Sequence, residues 1–231
     1  MSKGLTRFLK RNYKILLAAL IIITGICIIM YPQIQARRFD RIHRQVLRNW
    51  NSFEPQNNSG EQNITGSSWP VSTVVIGELM NDSGIWDENT DPEFDSQYML
   101  NQMVGILTIE KIDLRSAILA PATKNNLDIS ICSVLDTREM GQAGNYVLAG
   151  HLSRIYGRHF SRLKELSAGD IITVENKQNA FNYRVTEMYS VKPTEVWVMD
   201  NDETMKTITL ITCDYAAYPV IDRWIVKGEI T

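Results

Sequence analysis

Residues 99–231 predict an all-β domain, a barrel or a sandwich, and three observations lead there. Short runs of β-branched and aromatic residues recur along the segment. Turn signals separate several of them, and only one stretch shows helical spacing. No internal repeat accompanies the pattern.

The predicted strands are Val104–Ile109, Ser116–Ala120, Asn145–Ala149, Ile171–Glu175, Phe181–Met188, Glu195–Met199, Lys206–Cys213 and Trp224–Ile230. Ala168-Gly169-Asp170 and Asn176-Lys177-Gln178-Asn179 supply turn chemistry before and after the fourth. Phe160, Leu163 and Leu166 recur at helical spacing, which predicts a short helix over 159–167.

The N-terminal third has a different texture. Ile15 to Tyr31 is 17 residues without a charge, at the short end of what crosses a bilayer as a helix. Tyr13 and Tyr31 bracket it as interfacial aromatics would, and Pro32 ends it. The apolar run is longer than a signal-peptide core, and QIQA lacks a small-x-small cleavage site. The expectation is a basic cytoplasmic tail over 1–14 and an uncleaved transmembrane anchor over 15–31. Lys and Arg flank both ends of that run, so orientation rests on the short N-terminal tail staying inside. Residues 32–98 read as a juxtamembrane segment and spacer, because NSFEPQNNSGEQNITGSSWP cannot bury enough apolar surface to offset its ordering entropy.

Composition excludes several functions. A net charge of −2 lacks the basic balance of a nucleic-acid protein. Three scattered cysteines, Cys27, Cys132 and Cys213, suit neither a zinc cluster nor a disulfide scaffold. No metal and no cofactor are expected. One disulfide, Cys132 to Cys213, stays open, although Cys132 in DISICSVL reads as a buried packing residue.

The chemistry concentrates where TITLITCDY ends. Alternation makes it a strand with Cys213 at its exit, where a scaffold presents reactive groups. If RWIVKGEI is the return strand of an antiparallel hairpin, Arg223 lies across from Cys213. A guanidinium there favours a thiolate and can hold an oxyanion. A thiol nucleophile also needs a proton partner. Of the three histidines, His43 sits in the basic juxtamembrane stretch and His159 beside the short helix, where an exposed packing role is expected. His151, at the exit of NYVLAGH, is the candidate partner. Asp214, directly after the thiol, is a carboxylate that works against a negative sulfur.

Together these residues resemble the sortases, membrane-anchored cysteine transpeptidases of mainly Gram-positive bacteria, and most resemble classes A and D. Thr209–Cys213 (TLITC) is similar to the TLxTC signature, Ala149-Gly150-His151 to the histidine segment, and Arg223 stands where an arginine follows the cysteine. Gly144-Asn145, Phe160 with Leu163, and Gly169-Asp170 are further landmarks. The resemblance covers about Val104 to Thr231 and implies a closed eight-stranded β-barrel with short helices, behind the N-terminal anchor. It implies Cys213 as nucleophile, His151 as acid and base, Arg223 at the oxyanion or sorting peptide, and Thr212 and Ile211 as substrate-contacting positions. The implied partners are surface proteins or pilins with LPxTG-like sorting signals and an amine from a peptidoglycan precursor or pilin. The implied location is the cell membrane, single-pass, with the catalytic domain outside. Two rivals remain, a hydrolytic cysteine protease and a non-catalytic membrane-tethered β binding domain.

Overall fold

The computed structural model describes residues 14, 17–18, 20–26, 30, 40–52 and 96–231, the last stretch without 135–136, 154 and 217. The chain divides into two compact units, Met1–Gln45 and Val46–Thr231. The predicted tail 1–14, most of the predicted spacer 32–98 and part of the predicted span 15–31 lie outside the described residues.

In the first unit the described residues between 14 and 30 are helical, and Leu17, Leu20, Ile21, Ile22, Ile23 and Ile26 are exposed. No helix among the described residues is long and apolar enough to cross a membrane.

The second unit holds a closed barrel in the order β1-β2-β3-β4-β7-β8-β6-β5. Its strands are β1 (Met103–Ile109), β2 (Leu114–Leu119), β3 (Ile131–Ser133), β4 (Gly144–Ala149), β5 (Ile171–Glu175), β6 (Ala180–Val191), β7 (Lys206–Asp214) and β8 (Asp222–Ile230). Pairing of β1 with β5 closes the sheet, which leaves no free edge. Two pairs are parallel, β2 with β3 and β4 with β7. Parallel neighbours need a crossover rather than a tight turn, and those crossovers supply the walls of the site described below. Leu107, Ile118, Leu148, Val174, Tyr183, Ile208, Leu210 and Val226 pack inside the barrel.

An all-β fold behind a transmembrane helix is therefore corrected. The closed eight-stranded barrel is present, but helices accompany it, and none among the described residues meets the length and apolarity of a span. Residues 40–49 are helical, with Val46 and Leu47 buried. Helix α1 (Ser96–Gln102) buries Met99 just before β1. Helix α2 (Lys124–Ile129) lies in the β2–β3 crossover. Its Thr123 N-cap accepts a bond from the Asn126 amide, which satisfies one of the donors that a helix start orphans.

Two further expectations change. Glu195–Met199, predicted as a strand, is a 3-10 helix over Val196–Met199. The predicted helix 159–167 shrinks to a 3-10 turn at Leu163–Glu165, with Phe160 and Leu163 still fully buried. At Val196–Met199, bonds from Asn145 to the Val198 and Asp200 carbonyls outweigh the local pattern.

Candidate active site

β7 runs through the centre of the site. Ile208 and Leu210 point into the barrel core, so alternation turns Thr212 and Asp214 inward and Thr209, Ile211 and Cys213 outward. β8 lies antiparallel beside it with Cys213 opposite Arg223, Thr212 opposite Trp224 and Asp214 opposite Asp222. The hairpin expected from the sequence is thus observed, in the register that puts Arg223 opposite Cys213. Arg223 is buried, and its Nη1 donates to the Ile221 and Asp222 carbonyls at 3.0 and 3.2 Å. Those two bonds pin the guanidinium to the strand end.

β4 flanks β7 on the other side, in parallel, with Ala149 level with Ile211. The Gly150 amide then donates to the Ile211 carbonyl at 3.0 Å. The pairing ends there, and His151 follows two residues past the end of β4. Gly150 is required there: a Cβ would sit 2.8 Å from the Phe160 ring. That close approach lets Phe160 pack under the β4 exit, and the Phe160 amide donates to the His151 carbonyl at 3.2 Å. His151 is buried, at the neck of a loop closed by the Leu152–His159 bridge. His159 is buried too, with φ 47°, so the exposed role expected for it does not hold.

The outward face of β4 and β7 is covered by the β6–β7 connection. Asn145 on β4 holds it down, with Nδ2 donating to the Val198 and Asp200 carbonyls at 3.1 and 3.3 Å. Its Oδ1 accepts from Thr209 on β7 at 2.8 Å. Asn145 was visible in the sequence only as part of a landmark; its tethering role depends on residues more than fifty positions away.

Asp214 causes less conflict than its position next to the thiol suggests. It points to the opposite face of the strand from Cys213. Burial alone would raise its carboxyl, but bonds from the Lys164 ammonium, the Ala216 amide and the Ser190 hydroxyl outweigh that and hold it below the ordinary carboxylate range. Lys164 also lies 5.1 Å over the Trp224 ring. The Thr212 hydroxyl is buried on that inner face without a hydrogen-bond partner.

Sequence reasoning missed one charged group altogether. Asp128 of α2 brings Oδ1 to 3.4 Å from His151 Nε2. Neither Cys132 nor Cys213 is in a disulfide, which removes the bond left open between them. No group of histidine, cysteine or carboxylate side chains among the described residues could hold a metal.

Residues 107–231 match the model of the sortase domain. The chain is 33% identical over 129 residues to sortase A of Bacillus anthracis, across 56% of this chain and 60% of that protein. Among solved structures, sortase A of Listeria monocytogenes is similar at 31% identity and a TM-score of 0.52, covering 56% of this chain and 88% of that one. A sortase D5 transpeptidase of Clostridium perfringens is similar at 28% identity and a TM-score of 0.51, covering 56% and 79%. The chain spans about 60% of the length of the curated relatives it matches. With the closed barrel, the β7–β8 register and a family match over more than half its residues, the chain belongs to the sortase family.

Proposed function

We propose that the protein is a transpeptidase that cuts an LPxTG-like sorting signal and passes the acyl part to an amine. Cys213 Sγ attacks the carbonyl carbon of the Thr–Gly bond, and Arg223 stabilises the oxyanion that forms. As the tetrahedral adduct collapses, the C–N bond breaks and His151 gives its proton to the leaving amine, which leaves a thioester on Cys213. An acceptor amine then attacks the thioester carbonyl, His151 takes and keeps the proton from the attacking nitrogen, and the C–S bond breaks to return the Cys213 thiolate. No redox partner is needed. Ile211 shares the face of Cys213 and would line the peptide path. Thr212 turns its hydroxyl inward, so its effect on substrate would run through the strand end it stiffens.

The observation that supports this most is the Cys213–Arg223 pairing, with His151 two residues past the end of the neighbouring β4. Similarity to sortase A and to a sortase D5 transpeptidase supports a class A or D assignment. By the same family reading the enzyme works at the outer face of the cell membrane, attached through its apolar N-terminal segment. Its partners would be surface proteins or pilins, with a peptidoglycan precursor or a pilin lysine supplying the amine.

The deciding experiment incubates the full chain with an LPxTG peptide, with and without an amine acceptor, and follows products by mass spectrometry. The expected result is a thioester on Cys213 and an amide product that appears only with the amine. Hydrolysed peptide alone, whatever the amine concentration, would make the protein a cysteine protease. Absence of any adduct, with Cys213 refusing iodoacetamide in the native state, would leave a binding domain.

A further inference from the structure

The carboxylate of Asp128 is not part of the cysteine, histidine and arginine set, yet it is the acidic group in ion-pair contact with His151. Helix α2 holds it there from several sides. Asn126 Nδ2 donates to the Pro121 carbonyl at 2.8 Å, and the Tyr98 hydroxyl of α1 donates to Asn126 Oδ1 at 2.8 Å. Leu127 and Ile129, on either side of Asp128, are buried. The Ser130 amide donates to the Asn126 carbonyl at 2.8 Å, which closes the last turn. These bonds fix the rotation of α2, which keeps Asp128 on the side of the helix that faces the imidazole. Its side chain keeps 36% exposure while that of His151 keeps 11%, so the carboxylate remains hydrated behind a nearly buried ring.

We propose that Asp128 is the positioning residue for His151. It accepts from the Nε2 edge of the imidazole and leaves the Nδ1 edge for proton exchange with the leaving and entering amines. The inference rests on His151 having the role assigned to it above. A separation of 3.4 Å is long for a settled hydrogen bond, and such contacts in an unliganded site commonly tighten once substrate is in place. The principle is that of a carboxylate behind a histidine, which fixes the tautomer and orientation of the ring without itself exchanging protons. Here the carboxylate comes from a crossover helix rather than from the sheet. α2 therefore both links β2 to β3 and backs the β4 exit.

The test uses the full chain and three variants, Asp128→Ala, Asp128→Asn and Asp128→Glu. In steady state, Asp128→Ala is expected to lower kcat about tenfold or more. The KM values for sorting peptide and acceptor amine should stay within about twofold, and Asp128→Glu should recover part of the loss. A change confined to the acceptor KM would overturn positioning in favour of amine recruitment, and an unchanged kcat would overturn it outright. If Asp128→Ala does not fold, Asp128→Asn removes the charge at nearly constant volume and is read the same way. A second readout does not depend on turnover. In selectively labelled protein, a ring N–H proton protected from exchange is expected for His151 and should vanish in Asp128→Ala; its persistence there would refute the contact. If the parent chain forms no thioester, the functional reading fails, and the ring proton still decides whether Asp128 holds His151.

Discussion

The thiols carried by β3 and β7 look alike in burial and in oxidation state. Neither Cys132 nor Cys213 is in a disulfide, and both are fully buried. Their surroundings separate them. Cys132 faces Ala149 across the sheet and donates weakly to the Ser130 carbonyl at 3.6 Å. Burial, reinforced by the Asp128 carboxylate, pushes its thiol far above the ordinary range. Cys213 faces Arg223 instead, and the carboxylate next to it in sequence turns to the other face, where Lys164 pairs with it. Burial is therefore common to both thiols, and what differs is the residue across the strand, Ala149 for Cys132 and Arg223 for Cys213.

The sharpest way to break that contrast is to delete each sulfur in turn. Cys213→Ala is expected to abolish the thioester and lower turnover by about 10⁴-fold or more, whereas Cys132→Ala should leave turnover within about threefold. Loss of activity in a folded Cys132→Ala protein would erase the distinction. Next in size is the guanidinium. Arg223→Ala should lower kcat by about 10²–10³-fold, the usual cost of removing an oxyanion donor. Arg223→Lys should restore little, since an ammonium lacks the planar fork that grips both carbonyls and substrate. A wild-type kcat in either variant would detach Arg223 from the chemistry.

The inner face of the same strand end answers to stability rather than rate. Lys164→Met leaves the buried Asp214 carboxylate without its amine, at a cost of about 1–3 kcal/mol, measured by urea unfolding. A neutral result would mean that the Ala216 and Ser190 bonds suffice. The smallest effect appears in acid. The folded-state value of Asp214 is depressed, so its contribution is present above the unfolded value of about 3.9 and is lost as pH falls through the lower folded value. Asp214→Asn should flatten the part of the Tm profile that lies below about pH 4. An identical profile in parent and variant would remove Asp214 from the acid response.

Legibility in the sequence followed the range of the interaction. Alternation made β7 and β8 readable, and a short loop between them made the Cys213–Arg223 pairing a geometric consequence. The run Ile131–Ser133 was too short to be told from a packed turn, so β3 was missed. The alternating pattern in EVWVM favours a strand, but bonds from Asn145 to the Val198 and Asp200 carbonyls hold it as a strap across the sheet. The Asp128 contact gave no signal at all. Its helix is only six residues long, and no periodicity links it to the histidine.

The amino-acid order by itself determined the strand periodicity, the thiol at a strand exit and the arginine opposite it, because each follows from two-residue alternation and one hairpin. Only the tertiary structure decided that the sheet closes and that β4, which leads into His151, runs parallel beside β7. It also decided that α2 places a carboxylate behind the ring. Those outcomes depend on crossovers between distant segments, whose loop-closing cost is repaid only when the whole core packs, and no local stretch of sequence encodes that sum.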